Sequence, residues 1–395
     1  MLFSLSHGMH VVQDSAPLQP IAADSMRSRG ATAVEAAQTE AGVIPIDAVV
    51  DETRGTTRGL ALERAMRSAT APGAFRYLFR NAAGIPTGPQ ALAALDALAD
   101  SMATEAPGPS ESALPPILTY FGQFIDHDIT ANTDREVVGL SEIAGDIHPM
   151  DRGTVEAGLG NLRDGSLGLD SLYGDKPGQG PFATKLARLM RHPTLTDKMR
   201  LGMTADSGGG RPPLPADPAA DLLRLGFLLD RGEITEAELN ALDPALRANF
   251  VDSAGPIRTR AIIGDGRNDE NLLVAQLHVA FLRLHNCFVD VLGDFDAARQ
   301  ATRFHYQWLV LHQYLPAICA GNVLDEVLAT GAPLYAEFHD ANRPADPDQL
   351  PMPLEFSVAG FRFGHSMVRG AYDHNRFFGT AVAGSTQLTP FATFQ

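Results

Sequence analysis

From Asn271 to Leu292 the chain reads NLLVAQLHVAFLRLHNCFVDVL, apolar on nearly every side at helical spacing. A helix of that character is stable only when other elements surround it. It therefore predicts a helix at the centre of the fold, covered by whatever the rest of the chain supplies. Of the 395 residues, 45% are hydrophobic and 20% charged, which suits a large core and excludes a disordered chain. No apolar run approaches the roughly 18 residues of a membrane span.

Helical spacing recurs in Pro89–Met102, Ile117–Ile129, Ala183–Met190, Asp221–Leu229, Thr302–Tyr314 and Ile318–Ala329, with a short capped helix at Thr235–Leu242. Strand signals are confined to Gly360–Phe363. Residues 1–70, rich in Ala, Ser, Gly and Thr, read as a loosely packed N-terminal arm with a short helix at Thr57–Ser68. Ser207–Pro218 is a Gly/Pro loop. The expected fold is mainly α: one large helical domain over residues 71–395 with very little β, preceded by a variable arm.

Lys and Arg number 31 against 47 Asp and Glu, a net charge of −16 that repels phosphate backbones and argues against a nucleic-acid partner. Cys287 and Cys319 cannot build a disulfide framework; in apolar helical surroundings they read as small core residues. The N-terminus MLFSLSHGMHVVQDS lacks the basic start and apolar stretch of a secretory signal, so a cytoplasmic location or leaderless export is expected.

Four stretches place polar residues where the pattern calls for apolar ones. In FGQFIDHDIT, Gln123, Asp126 and His127 share one helical face while Asp128 points away from it. In GDGRNDEN, Arg267 and Glu270 lie three apart at the start of the central helix. GFRFGHSMV brings Arg362 and His365 to the same spacing, and DGSLGLDSLYG is an oxygen-rich loop containing Asp164, Ser166 and Asp170. Singly each has a plain reading: a buried histidine is usually a hydrogen-bonded core residue, an Arg–Glu pair a local cap, such a loop a turn. The pairs His278/His285 and His305/His312 are read as core or interhelix hydrogen-bonding residues.

In combination and in this order, GQFIDHDIT, GDGRNDENLLVAQLHVAFLRLHN and FRFGHSMV resemble the animal-type haem peroxidases of the peroxidase–cyclooxygenase superfamily, in their bacterial form, over about Phe75 to Phe378. The resemblance implies haem b, with His365 as proximal axial ligand and Arg362 near a propionate. It makes His127 the distal histidine, with Gln123 one turn earlier and Arg267 as the distal arginine. Asp126 and Glu270 match the carboxylates that can be esterified to haem methyl groups. Asp128 matches a calcium ligand, with Asp164, Ser166 and Asp170 completing the site. The implied reaction reduces hydrogen peroxide through a ferryl intermediate and oxidises a small organic or halide donor. An imidazole can take the proton from one peroxide oxygen and return it to the other, and a guanidinium stabilises the charge developing on the leaving oxygen.

Departures from the family pattern set further expectations. Arg362 stands where the oxygenase branch has a radical-forming tyrosine, which favours the peroxidase branch, and Asn271 replaces the methionine of the sulfonium link. Gly168 replaces an acidic residue of the calcium loop. The family orients its proximal histidine through an asparagine far downstream. Here the sequence ends 30 residues after His365 and Asn375 lies too close, so the C-terminal helices are expected to be missing and the imidazole less well set. The rival reading is a non-catalytic or inactive fragment that keeps the fold. A non-haem metal bundle is disfavoured, since no histidine has a glutamate three residues before it and there is no HExxH.

Overall fold

The computed structural model describes residues 2–4, 10–12, 73–82, 88–104, 114–131, 151–161, 163–174, 181–203, 219–241, 258, 261–269, 271–344, 349–369 and 371–374. Beyond the strands at 2–4 and 10–12, the arm over 1–70 lies outside them, as do Thr57–Ser68, Ser207–Pro218, Glu270 and Asn375.

In chain order the elements are β1 (Leu2–Ser4), β2 (His10–Val12), β3 (Gly73–Arg76), α1 (Pro89–Thr104), α2 (Ile117–Ile129), α3 (Arg152–Gly158), β4 (Gly160–Asn161), α4 (Asp170–Tyr173), α5 (Pro181–Leu189), α6 (Leu225–Asp230) and α7 (Glu236–Asn240). A 3-10 turn, Gly266–Asp269, leads into α8 (Leu272–Leu292) and α9 (Phe295–Leu309). A π-helical segment, Val310–Tyr314, continues into α10 (Leu315–Ile318), α11 (Gly321–Thr330) and α12 (Pro333–Ala341). The described chain closes with β5 (Met352–Pro353), α13 (Leu354–Val358) and a 3-10 helix, Gly360–Met367. The fold is mostly helical. Among the described residues the strands form the antiparallel pair β1–β2 and a small sheet in which β3 runs antiparallel to β4 and parallel to β5.

The central helix starts and stops where its chemistry dictates. Asn271 caps α8, its Oδ1 accepting the Val274 amide at 2.9 Å, and Gly293 ends it in the left-handed conformation at φ 72°. Asp294 then caps α9 in the same way through the Ala297 amide, so two residues turn the chain into a helical hairpin. The hairpin packs on α2 through aromatic rings. Phe124 stacks on Phe281 at 5.1 Å, and Tyr306 meets both edge-on at 6.0 and 5.7 Å. The expected capped helix is present as α7, with Thr235 and Glu238 forming a reciprocal capping box.

Four expectations are corrected. The central helix is not covered all round: Gln276, Ala280, Arg283, Cys287 and Asp290 form an exposed stripe along it. Cys287 is consequently exposed and Cys319 half-buried, so neither is a core residue of the kind expected. Gly360–Phe363 is helical, bonded from residue i to i+3 (the Arg362 amide to the Ala359 carbonyl at 3.0 Å), and the sheet is built elsewhere from strands too short to show a period. Against the expectation that no apolar run approaches a membrane span, Leu272–Leu292 is by length and composition sufficient to cross one. Its buried face and the hydrogen-bonded His278 and His285 on it describe a core helix instead.

The π-helical segment carries Tyr314 onto α2 at Gly122, where a Cβ would collide with the tyrosine Oη. Gly122→Ala should therefore cost about 1–3 kcal/mol by overpacking. Tyr314→Phe, which removes the colliding atom, should relieve most of that cost in the double variant. Urea denaturation of the four chains checks this. Equal destabilisation by Gly122→Ala in both backgrounds rules out the contact as the cause.

Candidate functional site

Helix α2 delivers its polar residues to two different places. Asp126 and His127 are buried and face the 3-10 turn and the C-terminal 3-10 helix. Asp128, also buried, faces the oxygen-rich loop. This is the division expected from 100° per residue.

The Asp126 carboxylate joins two of the motifs. Its Oδ2 accepts from Arg362 Nη1 at 2.5 Å and its Oδ1 from Thr130 Oγ1 at 2.8 Å. Arg362 is held at its other end by Nε donating to the Ser357 carbonyl at 2.8 Å. Three residues on, His365 Nδ1 donates to the Arg362 carbonyl at 2.8 Å, which leaves the lone pair of the neutral ring on Nε2. Burial, helped by the neighbouring Arg362 charge, lowers the basicity of His365 despite the Arg362 carbonyl and Asp126. A neutral imidazole whose Nδ1 donates to a carbonyl is the usual arrangement of a metal-ligating histidine, so these residues would fit a haem held through His365. The orienting partner expected to be missing is supplied here by the histidine's own turn.

His127 Nδ1 lies 2.8 Å from Asn268 Oδ1, and Gln123 Oε1 accepts from Asn271 Nδ2 at 3.0 Å. Asn271 thus caps the central helix with its oxygen and fixes the Gln123 amide with its nitrogen.

Arg267 is buried, and Asp265 accepts from its Nε at 3.0 Å and from its Nη2 at 2.7 Å. The same Nη2 donates to the carbonyls of His127 at 3.1 Å and Thr130 at 2.7 Å, at the C-terminus of α2. Asp265 also pairs with buried Arg163. Burial alone would push the Asp265 carboxyl up; Arg267 and Arg163 outweigh it and hold it well below the usual carboxylate range.

In the oxygen-rich loop, Asp128 accepts the amides of Leu169 at 3.0 Å and Ser171 at 3.1 Å, and Asp164 accepts the Ser166 amide and hydroxyl at 2.8 and 2.7 Å. Ser166 Oγ and Asp170 Oδ1 lie 3.0 and 3.2 Å from where a Gly168 Cβ would sit. Burial, with the Asp164 charge beside it, pushes the Asp128 carboxyl up to about 7 against the pull of the two amides. Helix α9 braces the loop through Arg303 and Gln307, which donate to the carbonyls of Gly168 and Leu167 at 2.6 and 3.0 Å. Among the described residues no three His, Cys, Asp or Glu side chains are grouped to hold a metal ion.

Sequence reasoning did not single out Arg163, Asp265 or Asn268, and noted Asn271 only as a substitution. Asp265 and Asn268 stand inside GDGRNDEN, but Arg163 and His127, which they also meet, are 102 and 141 residues away.

Residues 243–388 match the animal haem peroxidase family. A peroxidase-like protein of Margaritifera margaritifera is 28% identical over 120 residues, spanning 28% of this chain and 14% of that relative. Both are similarities over part of the chain. Peroxidase A from Dictyostelium discoideum aligns at a TM-score of 0.41 and 16% identity, covering 87% of this chain and 64% of that one. The chain therefore spans less than two thirds of either relative. The family match includes Arg267, Arg362 and His365, whereas Gln123, Asp126 and His127 precede it.

Proposed function

We propose that this chain is a haem peroxidase that reduces hydrogen peroxide and oxidises a small organic or halide donor. The observation that carries the reading is the Arg362–Asp126 ion pair, which ties the turn bearing His365 to the helix bearing His127. Bound haem would supply the redox chemistry. His365 would hold the iron through Nε2, oriented by the Arg362 carbonyl. Arg362 would face a propionate while anchored to Asp126. That carboxylate already meets Arg362 and Thr130, so its proposed role is to position the arginine and not to form an ester. His127 would move the proton between the two peroxide oxygens, with Gln123 presented beside it by Asn271. Arg267, engaged by Asp265 and two helix carbonyls, is proposed to set the height of His127 through the backbone, a positioning residue in place of the charge stabiliser implied by the resemblance.

The test is the absorption spectrum of the purified full chain titrated with haem, before and after one equivalent of peroxide. Stoichiometric haem and a peroxide-dependent spectral change are expected. His365→Ala should lose the haem. His127→Gln should keep it and slow the peroxide step by about 10²–10⁴-fold. Failure of the wild-type chain to retain haem, or unchanged haem content in His365→Ala, overturns the reading and leaves a non-catalytic protein with this fold.

A further inference from the structure

His127, Asn268 and His278 form a continuous buried chain of hydrogen bonds from three separate elements. All three side chains are buried completely. His127 Nδ1 lies 2.8 Å from Asn268 Oδ1, and Asn268 Nδ2 lies 3.1 Å from His278 Nδ1. A carboxamide is polar in one direction: its oxygen only accepts and its NH2 only donates. The contact to the oxygen therefore requires a proton on His127 Nδ1, and the contact from the NH2 requires a lone pair on His278 Nδ1. One amide dictates opposite tautomers in two histidines.

We infer that Asn268 is a positioning residue that locks His127 in the Nδ1–H tautomer, with His278 as the buried acceptor of the Asn268 amide. The functional consequence rests on the peroxidase reading above. A base acting at Nε2 needs its lone pair there, and the wrong tautomer would present a proton to peroxide instead. The geometry of the lock does not depend on that reading.

Three further observations support it. Asn268 belongs to the 3-10 turn Gly266–Asp269, and its amide donates to the Asp265 carbonyl at 3.0 Å, so its backbone is fixed by the network that holds Arg267. His278 sits fully buried on the central helix with its ring edge-on to Phe124 of α2, 6.3 Å between centroids. Burial also lowers the His278 pKa to about 3, so the ring remains neutral and able to accept at Nδ1.

The test uses the haem-free full chain labelled with 15N-histidine, in which long-range proton–nitrogen spectra separate protonated from bare ring nitrogens. The His127 and His278 signals are identified by their loss in His127→Gln and His278→Gln. In the wild type, His127 is expected as Nδ1–H and His278 as Nε2–H. In Asn268→Leu both tautomers of His127 should appear. In Asn268→Asp, which only accepts, His127 should remain Nδ1–H while His278 reverses to Nδ1–H. The inference is overturned if wild-type His127 is Nε2–H, or if its tautomer is unchanged in a folded Asn268→Leu chain. Should the leucine variant unfold, a His278 tautomer that fails to reverse in Asn268→Asp overturns it as well. With haem added, Asn268→Leu should slow the peroxide-dependent spectral change by at least about tenfold, and an unaltered rate removes the functional role. If the wild-type chain ignores haem or peroxide while the tautomers behave as stated, the peroxidase reading fails and the lock stands.

Discussion

Asp265→Asn is expected to destabilise the chain by about 3–5 kcal/mol, the range for breaking a buried ion pair by removing one partner. The carboxylate is fully buried between Arg163 and Arg267, themselves 2% and 4% exposed. With one negative charge against two guanidiniums, its loss leaves both cations in the core without the group that balances them. The asparagine keeps the volume, so packing does not confuse the result. Removing a second member should partly reverse the damage: Arg163→Met in the Asp265→Asn background deletes one of the two buried guanidinium charges. Urea denaturation of the wild type, Asp265→Asn and the double variant measures both steps. A loss below about 1 kcal/mol in the single variant, the level of a surface pair, would mean that the triad does not hold the fold. The site should suffer with it, because Asp265 holds Nε and Nη2 of Arg267, and the same Nη2 reaches the His127 and Thr130 carbonyls. Haem retention by any Asp265→Asn chain that still folds should therefore fall.

The triad also marks the boundary of what the sequence makes legible. Helix α2 is readable to its end residues, since Ile117–Ile129 has a clear apolar face and stops where Thr130 turns extended. The division of α2 into an Asp126–His127 side and an Asp128 side follows from helical geometry alone. So does the proximity of Arg362 and His365 within their own turn. Arg163 and Asp265, in contrast, are 102 residues apart, and nothing local to either announces the other. Asn268 is hidden for a different reason. Read as a helix start, GDGRNDEN pairs Arg267 with Glu270. Folded as a 3-10 turn, it sends Arg267 to the end of α2 and Asn268 to His127. Hydropathy misjudges Cys287 because an apolar helix still has an outer stripe whenever its neighbours cover only part of its circumference. The strands β4 and β5, two residues each, are set by pairing with β3 and carry no periodic signal.

Acid should unfold this chain earlier than its carboxylates alone would dictate, because two core histidines must remain neutral. His278 accepts from Asn268 at Nδ1. His285 accepts from the Tyr173 hydroxyl at 3.0 Å and donates from Nε2 to the Asp197 carbonyl at 3.0 Å. A second proton on His278 Nδ1 would face the Asn268 NH2, donor against donor, and burial opposes a charge on either ring. Burial lowers His278 to about 3 and His285 to about 4, against 6.5 for an ordinary histidine. Below 6.5 the unfolded chain thus binds more protons than the folded one, and stability drops as pH falls. The stabilisation is complete above that value and is lost progressively down to the two folded values. Between pH 7 and pH 5 each group contributes a loss of about 2 kcal/mol, about 4 kcal/mol together. His278→Gln and His285→Gln each retain a donor and an acceptor without titrating. Each should remove about half of the histidine share of the loss, and the double variant nearly all of it. The comparison is the difference in urea unfolding free energy between the two pH values, wild type against variant, in which the titration of all other groups cancels. If the variants lose as much stability as the wild type on acidification, the two histidines already carry protons in the folded chain, and the hydrogen-bond directions assigned to Asn268 and Tyr173 must be reversed.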